Sequence, residues 1–192
     1  MRTRPVLLMA LCLLPACASP PPPPAFLPRD VVLGASPQDA DLQTWRSPTA
    51  KAQAWKAVFV EPVEMRVRVD DRKRAGALPL ELQSNLRDFI KLPKAAGPGP
   101  GVLVVKSAIT GARPDDPLVD LGVHQSSRGE GGFTSLQVYA VADGRPVAAM
   151  SRTIWSHKLT LDGDAAWGRA ERALQQGAGE FASLLGVSAV AP

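Results

Sequence analysis

The residues whose types could do acid, base or nucleophilic chemistry are few and widely spaced. His124 and His157 are the only two histidines among the 192 residues. A hydrolase would pair one of them with a serine in a Gly-x-Ser-x-Gly turn, and the sequence contains no such turn. A zinc site would need His-Glu-x-x-His or a cysteine pair, and neither is present. We therefore expect no catalytic residue, no metal and no cofactor, and we predict that the protein is not an enzyme.

Two groups of carboxylates were weighed for metal binding and for acid and base catalysis. Asp115, Asp116 and Asp120 could gather around calcium, but they lack the spacing of an EF-hand loop, so we interpret them as part of a solvated loop. Glu61 and Glu64 lie three residues apart in a stretch that reads as a strand. Successive strand side chains point to opposite faces, so these two glutamates should not form a paired acid and base.

One basic cluster stands out, formed by Arg66, Arg68, Arg72, Lys73 and Arg74. Nucleic acid binding would require interleaved aromatic residues and a larger charge than the net +4 of the whole chain, so no nucleic acid partner is expected. The first interpretation is a soluble edge strand and turn. The alternative is contact with anionic lipid headgroups or with the phosphates of lipopolysaccharide, which a domain held at a membrane would meet often.

The amino-terminal residues have the layout of an export signal. Arg2 and Arg4 precede a short apolar run, which ends in Leu14-Pro15-Ala16-Cys17. This tetrapeptide resembles the lipobox of bacterial lipoproteins. The resemblance implies cleavage between Ala16 and Cys17, a diacylglycerol on the Cys17 sulfur and anchorage through two or three acyl chains, which hold far better than one. Because Ala18 and not aspartate follows the cysteine, we expect the periplasmic side of the outer membrane. The alternative is an ordinary signal cleaved near Ala18 or Ser19.

A proline run, Pro20 to Pro24, follows the cysteine. Proline fixes φ and lacks a backbone donor, so this stretch predicts a polyproline-type tether of about 3.1 Å per residue. Cys12 would be removed with the signal and Cys17 would carry lipid, which leaves no thiol for a disulfide in the folded part. Packing alone must therefore stabilise the domain.

Regular structure is predicted from residue 56 onward. Residues 57–60 form a short apolar run, and residues 63–69 alternate apolar with polar, which indicates a strand with one buried face. Pro79 suits the first turn of a helix, whose apolar positions recur at 3.6-residue spacing up to Ile90. A second strand is expected over residues 102–109.

The carboxyl-terminal half has the clearest patterns. Residues 133–141 and 146–156 read as two strands joined by Asp143-Gly144, a dipeptide that favours a tight hairpin turn. Asp164 can cap a final helix, and Gly186 can end it in the left-handed conformation. The inner stripe of this helix is Trp167, Ala170, Leu174, Ala178, Phe181 and Leu185.

These elements predict an α+β fold in two layers, a mixed four-stranded sheet with two helices on one face in the order β-α-β-β-β-α. Residues 114–132 read as a long loop. The predicted organisation is a signal peptide (1–16), a lipidated cysteine with its tether (17–28), an irregular wrapping segment (29–55), the α+β domain (56–187) and a tail (188–192).

The mature chain resembles a family of uncharacterised lipoproteins of Gram-negative bacteria, domain of unknown function 3313. The resemblance covers roughly residues 25–186, and the loop at 114–132 looks shorter than is usual in that family. The family carries no established activity, so the resemblance implies a location and a fold and no catalytic residue. The motifs that carry it are Ala25-Phe26-Leu27-Pro28, Ala57-Val58-Phe59-Val60-Glu61-Pro62-Val63-Glu64, Leu78-Pro79-Leu80-Glu81-Leu82, Gly99-Pro100-Gly101-Val102-Leu103 and residues 164–167.

The predicted lipid anchor and the lack of a convergent polar site favour a non-catalytic structural or accessory role in the envelope. Its partners would be the membrane, through the acyl chains on Cys17, and an unidentified envelope protein. The alternative is a periplasmic carrier or sensor that binds a small apolar or lipid ligand between the sheet and the helices.

Overall fold

The computed structural model describes residues 26–67, 72–113, 132–155 and 163–187. These residues form seven strands, two α-helices and one 3-10 turn. In chain order the elements are β1 (Gly34–Ser36), β2 (Asp39–Arg46), the 3-10 turn (Ala52–Ala54), β3 (Ala57–Val60), β4 (Glu64–Met65), α1 (Arg72–Phe89), β5 (Val102–Arg113), β6 (Phe133–Ala142), β7 (Arg145–Trp155) and α2 (Gly163–Leu185).

The strands form one mixed sheet in the spatial order β1-β2-β7-β6-β5-β3. β3 and β4 pair in parallel with successive parts of β5, and the other pairs are antiparallel. β3 and β4 therefore act as one edge strand that is interrupted around Pro62, a residue that cannot donate to the sheet ladder. This confirms the α+β class and the mixed sheet that the sequence predicts.

The core lies between the sheet and the helices. Leu136, Val138 and Ala140 alternate along β6 with more exposed residues, and all three are fully buried. The two helices contact each other, α1 contacts β3, β4 and β5, and α2 contacts β2, β6 and β7. Burial of these apolar side chains is the main stabilising term of the fold. The largest of the buried helix side chains are Leu78, Leu82, Leu86, Leu174, Phe181 and Leu185, and the buried Ile90 directly follows α1.

The predicted hairpin and helix end are confirmed. Asp143 and Gly144 have φ angles of 48° and 76° between β6 and β7, as a two-residue turn with both residues left-handed requires. Gly186 has φ of 73°, its N–H donates to the Ser183 carbonyl, and the Val187 N–H donates to the Ala182 carbonyl. These two bonds are the Schellman arrangement that satisfies the last carbonyls of a helix.

The prediction of four strands is wrong, because the described residues form seven. The segment predicted to be irregular (29–55) contains β1 and β2, which extend the sheet beyond β7. The predicted boundary at residue 56 thus falls inside one sheet. The sequence gives little sign of β2, because it reads Asp-Ala-Asp-Leu-Gln-Thr-Trp-Arg and lacks a sustained apolar alternation. Pairing with β7, a strand a hundred residues further along, decides its conformation.

The predicted helix start is also corrected. α1 begins at Arg72, so Pro79 lies inside the helix instead of in its first turn. The helix tolerates this proline although its ring removes one backbone donor. The first strand predicted from the sequence is β3, which ends at Val60, and its pattern continues only in the two residues of β4. The predicted strands that begin near residues 102, 133 and 146 are confirmed, and the first of them extends to Arg113.

Candidate functional site

Several residues weighed for chemistry lie outside the described residues. These are His124, His157, Asp115, Asp116 and Asp120, and also the lipidation and cleavage site at Ala16 and Cys17. Within the described ranges, no group of three or more His, Cys, Asp or Glu could hold a metal ion. None of the helices in those ranges is long and apolar enough to span a bilayer.

Glu61 and Glu64 do not point to opposite faces as an uninterrupted strand would require. The Glu61 carboxylate lies 3.2 Å from Lys106 Nζ, and the Glu64 carboxylate accepts a 2.9 Å hydrogen bond from Arg66. Burial raises the pKa of Tyr139 above its usual value, and both glutamates also raise it, so both lie near this tyrosine. The break in the strand at residues 61–63 removes the strict alternation. Each carboxylate has a cation beside it, so the two form no acid and base pair.

Of the predicted headgroup-binding residues, only Arg66 has a described side chain. Its guanidinium lies 5.0 Å from the centre of the Phe26 ring and also binds Glu64. Arg68 lies outside the described residues, as do the side chains of Arg72, Lys73 and Arg74 at the start of α1. Headgroup contact by this cluster therefore stays a prediction.

The face of the sheet on which Tyr139 lies is partly covered by the first described residues. Phe26 packs edge-on against Tyr139, with ring centres 5.2 Å apart. Tyr139 lies opposite Lys106 on β5 and Ala149 on β7, and Trp45 follows in the same row on β2. The segment that follows the proline run is thus held on this face, and it enters the sheet at β1. Aromatic pairs of this geometry contribute about 0.5–1.5 kcal/mol beyond their buried area.

A buried arginine links the sheet edge to α2. Arg152 is only 7% exposed, and its Nη1 donates to Asp39 Oδ2 over 2.5 Å. Its Nε lies 3.1 Å from Glu180 Oε2. The hydrogen bond from Arg152 holds the pKa of Asp39 below its usual value, and a bond from the Asp41 N–H acts in the same direction. Arg152 therefore fixes β2 and α2 to β7.

Beside this ion pair lies a concave surface, which we call the helix groove. It has a volume of about 1150 Å³ and is formed by residues of α1, α2 and β2. Leu42, Phe89 and Leu184 supply apolar surface, and all three are partly buried against the core. Gly179 on α2 lies beside the Phe89 ring, which a Cβ at this position would contact at an ordinary distance of 3.6 Å.

The helix groove carries charges of both signs. Asp88 and Glu180 are acidic, Lys91 and Arg172 are basic, and the exposed Gln175 and Gln176 lie between them. The helix groove is not predicted by the patterns of the sequence. Its only local signal is the stripe on α1 that includes Phe89, because Leu42 belongs to a strand that was not predicted.

The geometry is that of an α+β protein with a surface groove and no catalytic constellation among the described residues. The chain belongs to the family described as "Protein of unknown function (DUF3313)", whose sequence model matches residues 27–181. This confirms the family resemblance.

No curated protein matches the sequence. Among solved structures, the PelC dodecamer from Paraburkholderia phytofirmans is similar with a TM-score of 0.46 and 12% identity, over 72% of this chain and 94% of that one. Protein XCC0632 from Xanthomonas campestris is similar with a TM-score of 0.45 and 16% identity, over 73% and 91%. The hypothetical protein CT253 from Chlamydia trachomatis has a TM-score of 0.41 and 11% identity, over 68% and 96%.

Proposed function

We propose that this protein is a lipid-anchored, non-catalytic accessory component of the Gram-negative envelope, which binds a protein partner in the helix groove. The acyl chains on Cys17 hold it in the outer membrane on the periplasmic side. The observation that carries the proposal is the helix groove itself, a large open surface with apolar residues and no catalytic group among its lining residues. In this proposal both helices form one layer on one face of the sheet, which their contacts with each other and with the strands support.

The charges of the helix groove favour a segment of a partner protein as its occupant. Asp88 and Glu180 would repel an anionic polymer, and a lipid tail would leave Lys91 and Arg172 without new partners. An amphipathic protein segment with apolar side chains and charges of both signs complements the apolar surface and the mixed rim together.

No observation favours the alternative of a carrier with its ligand between the sheet and the helices. Those positions hold core side chains such as Leu82, Leu136, Leu174 and Phe181, each 0% exposed. A ligand of drug size would have to displace several of them, at about 2–5 kcal/mol for each large apolar side chain removed from the core.

The partner can be tested by photo-crosslinking in intact cells, with a photoreactive amino acid at Gln175 in the helix groove. The matched control is Gln43, an equally exposed glutamine that points to the opposite face of the sheet. We expect a defined crosslinked protein from Gln175 that Gln43 does not give. A second arm uses Cys17→Ser, which should release the protein from the membrane fraction.

Charge substitution on the groove surface provides the specificity control. Ser183→Arg places a large cation in the groove and should abolish the crosslink, whereas Ala77→Arg, at an exposed position of α1 outside the groove lining, should preserve it. Equal crosslinking from both glutamines, no crosslink from Gln175, or a crosslink that survives Ser183→Arg would contradict the groove as the partner site.

A further inference from the structure

Cationic side chains from distant parts of the chain meet at one end of the sheet, which we call the basic end. β2 finishes at this end, β7 begins there, and β3 begins beside the start of β5. The connection formed by residues 47–56 crosses below these strand ends, with the Ser47 N–H bonded to the Val147 carbonyl and the Lys56 N–H to the Gly101 carbonyl. With strands about 4.8 Å apart, the end measures roughly 19 Å from β2 to β3.

Both helices also finish at the basic end. The Lys91 N–H, just after α1, donates to the carbonyl of Val187, just after α2. The Val58 N–H bonds the Pro93 carbonyl, which places the turn after α1 beside the start of β3. The exposed lysines and arginines at this end are Arg46, Lys51, Lys56, Lys91, Lys94 and Arg145.

Most of these cations lack a counter-charge. Asp88 pairs with Lys94 at 3.6 Å, and Arg46 bonds the Leu185 carbonyl at the end of α2. Lys51, Lys56, Lys91 and Arg145 make no ion pair and no side-chain hydrogen bond within the described part of the chain. Asp143 in the hairpin turn is the other acidic residue on these strand and helix ends. Six cations against two carboxylates leave the basic end with a net charge of +4.

The basic end also has a cleft that could admit an anionic group. The cleft measures about 480 Å³ and lies between the connection 47–56 and the hairpin of β6 and β7. Lys51 comes from one wall and Arg145 from the other, with Asp143 on the same wall as Arg145, while the buried Trp55 forms part of the lining. The two cations outnumber this single carboxylate. Charge from both walls would meet a phosphate that enters between them.

The attachment of the amino-terminal segment places the basic end within reach of the predicted anchor. Phe26 contacts Tyr139, which precedes the hairpin turn at Asp143 by four residues, or about 13 Å along a strand. Phe26 lies nine positions after Cys17, and at about 3.1 Å for each step a proline-rich tether spans roughly 28 Å. A domain on this tether can place its basic end on the membrane surface.

We propose that the basic end binds the anionic phospholipid headgroups of the membrane to which the protein is tethered, with Lys51 and Arg145 as the central contacts. The lipid anchor and the basic end then act together, because the tether raises the local concentration of the membrane surface at the basic end. This surface differs from the cluster at Arg66, and it leaves the helix groove free for a protein partner.

The test uses the full chain with Cys17→Ser, so that no acyl chain contributes. Binding is measured by flotation with vesicles of phosphatidylglycerol mixed with phosphatidylcholine, and with vesicles of phosphatidylcholine alone. We expect binding only to the anionic vesicles, and we expect it to weaken as salt is added. The double variant Lys51→Glu and Arg145→Glu should bind about 25-fold more weakly at low salt, from about a fivefold effect for each basic residue near the surface.

The matched control combines Gln38→Glu, Ala40→Glu, Ala77→Glu and Leu80→Glu, which changes the net charge by the same four units at exposed positions near the starts of β2 and α1, away from the basic end. It should retain most of the binding, and circular dichroism should show that both variants are folded. Equal losses in the two variants, unchanged binding by the Lys51 and Arg145 variant, or no binding to anionic vesicles would each overturn the proposal. Retention of the protein by a soluble anionic polysaccharide but not by vesicles would also overturn it. These outcomes are independent of the crosslinking result.

Discussion

The packing of α2 against the sheet can be tested by replacing each of two glycines of this helix, Gly177 and Gly168, with alanine. A Cβ on Gly177 would lie 2.8 Å from Leu136 Cδ2 and 3.1 Å from Leu136 Cδ1. A Cβ on Gly168 would lie 3.9 Å from its nearest neighbour, Arg172 Nη1. Gly177→Ala therefore meets a buried side chain, whereas Gly168→Ala meets almost open space.

The two substitutions should have different effects on stability. Alanine is favoured over glycine inside a helix by about 1 kcal/mol, and this gain applies at both positions. At Gly177 the new methyl group must displace Leu136, which is 0% exposed and has little room to move. Overpacking of a core costs about 1–3 kcal/mol. We expect Gly168→Ala to stabilise the protein and Gly177→Ala to be less stable than Gly168→Ala by about 1–3 kcal/mol.

The measurement is urea denaturation of both variants in the unlipidated Cys17→Ser background, with the free energy of unfolding extrapolated to water. The difference between them should correspond to about 2–12 °C in melting temperature, from 2–4 °C per kcal/mol for a domain of this size. If the Gly177→Ala variant is as stable as the Gly168→Ala variant, or more stable, the close contact between α2 and β6 is refuted.

Two further predictions concern the buried arginine. Arg152→Met keeps most of the side-chain volume but leaves Asp39 and Glu180 without their cation. The free energy of unfolding, measured by urea titration, should therefore fall by about 2–3 kcal/mol, which is less than for a fully buried pair because both carboxylates retain some water. The control is the exposed Arg172→Met, which should change the free energy of unfolding by less than about 0.5 kcal/mol. Because the pKa of Asp39 is lowered from 3.8 in the folded protein, its contribution is fully present above that value and is lost as pH falls through the folded pKa. The difference in free energy of unfolding between the parent protein and Asp39→Asn should therefore be constant at neutral pH and decrease progressively below about pH 4. A difference that is independent of pH would show that the Arg152 guanidinium does not lower the pKa of the Asp39 carboxylate.

The two proposals assign different tasks to different ends and faces of one small domain. The helix groove is formed by α1, α2 and β2, and the basic end lies where β2 and both helices finish. Phe26 holds the amino-terminal segment on the face of the sheet on which Tyr139 lies. A protein that contacts the membrane through its basic end could present the groove to a partner in a fixed orientation. Lys91 belongs to both surfaces, so variants at this residue cannot separate the two activities.

The sequence by itself determined the elements whose signals are local. The Asp143-Gly144 turn, the stripe of α2 and its end at Gly186 were all predicted, because turn conformation and helix capping depend on neighbouring residues. The family was also recognised from short motifs of the sequence. The sequence failed where Leu42 and Trp45 lie in β2, since a partly polar strand forms through its pairing with β7 and not through its own pattern.

Only the tertiary structure decided which residues share a surface. The helix groove exists because Phe89 and Leu184, on two helices, meet the Leu42 side of β2, and no spacing along the chain encodes that meeting. Likewise Lys51 and Arg145 are 94 positions apart in sequence and face each other across one cleft. Local physical rules act over a few residues, whereas a binding surface depends on contacts between segments that only folding brings together.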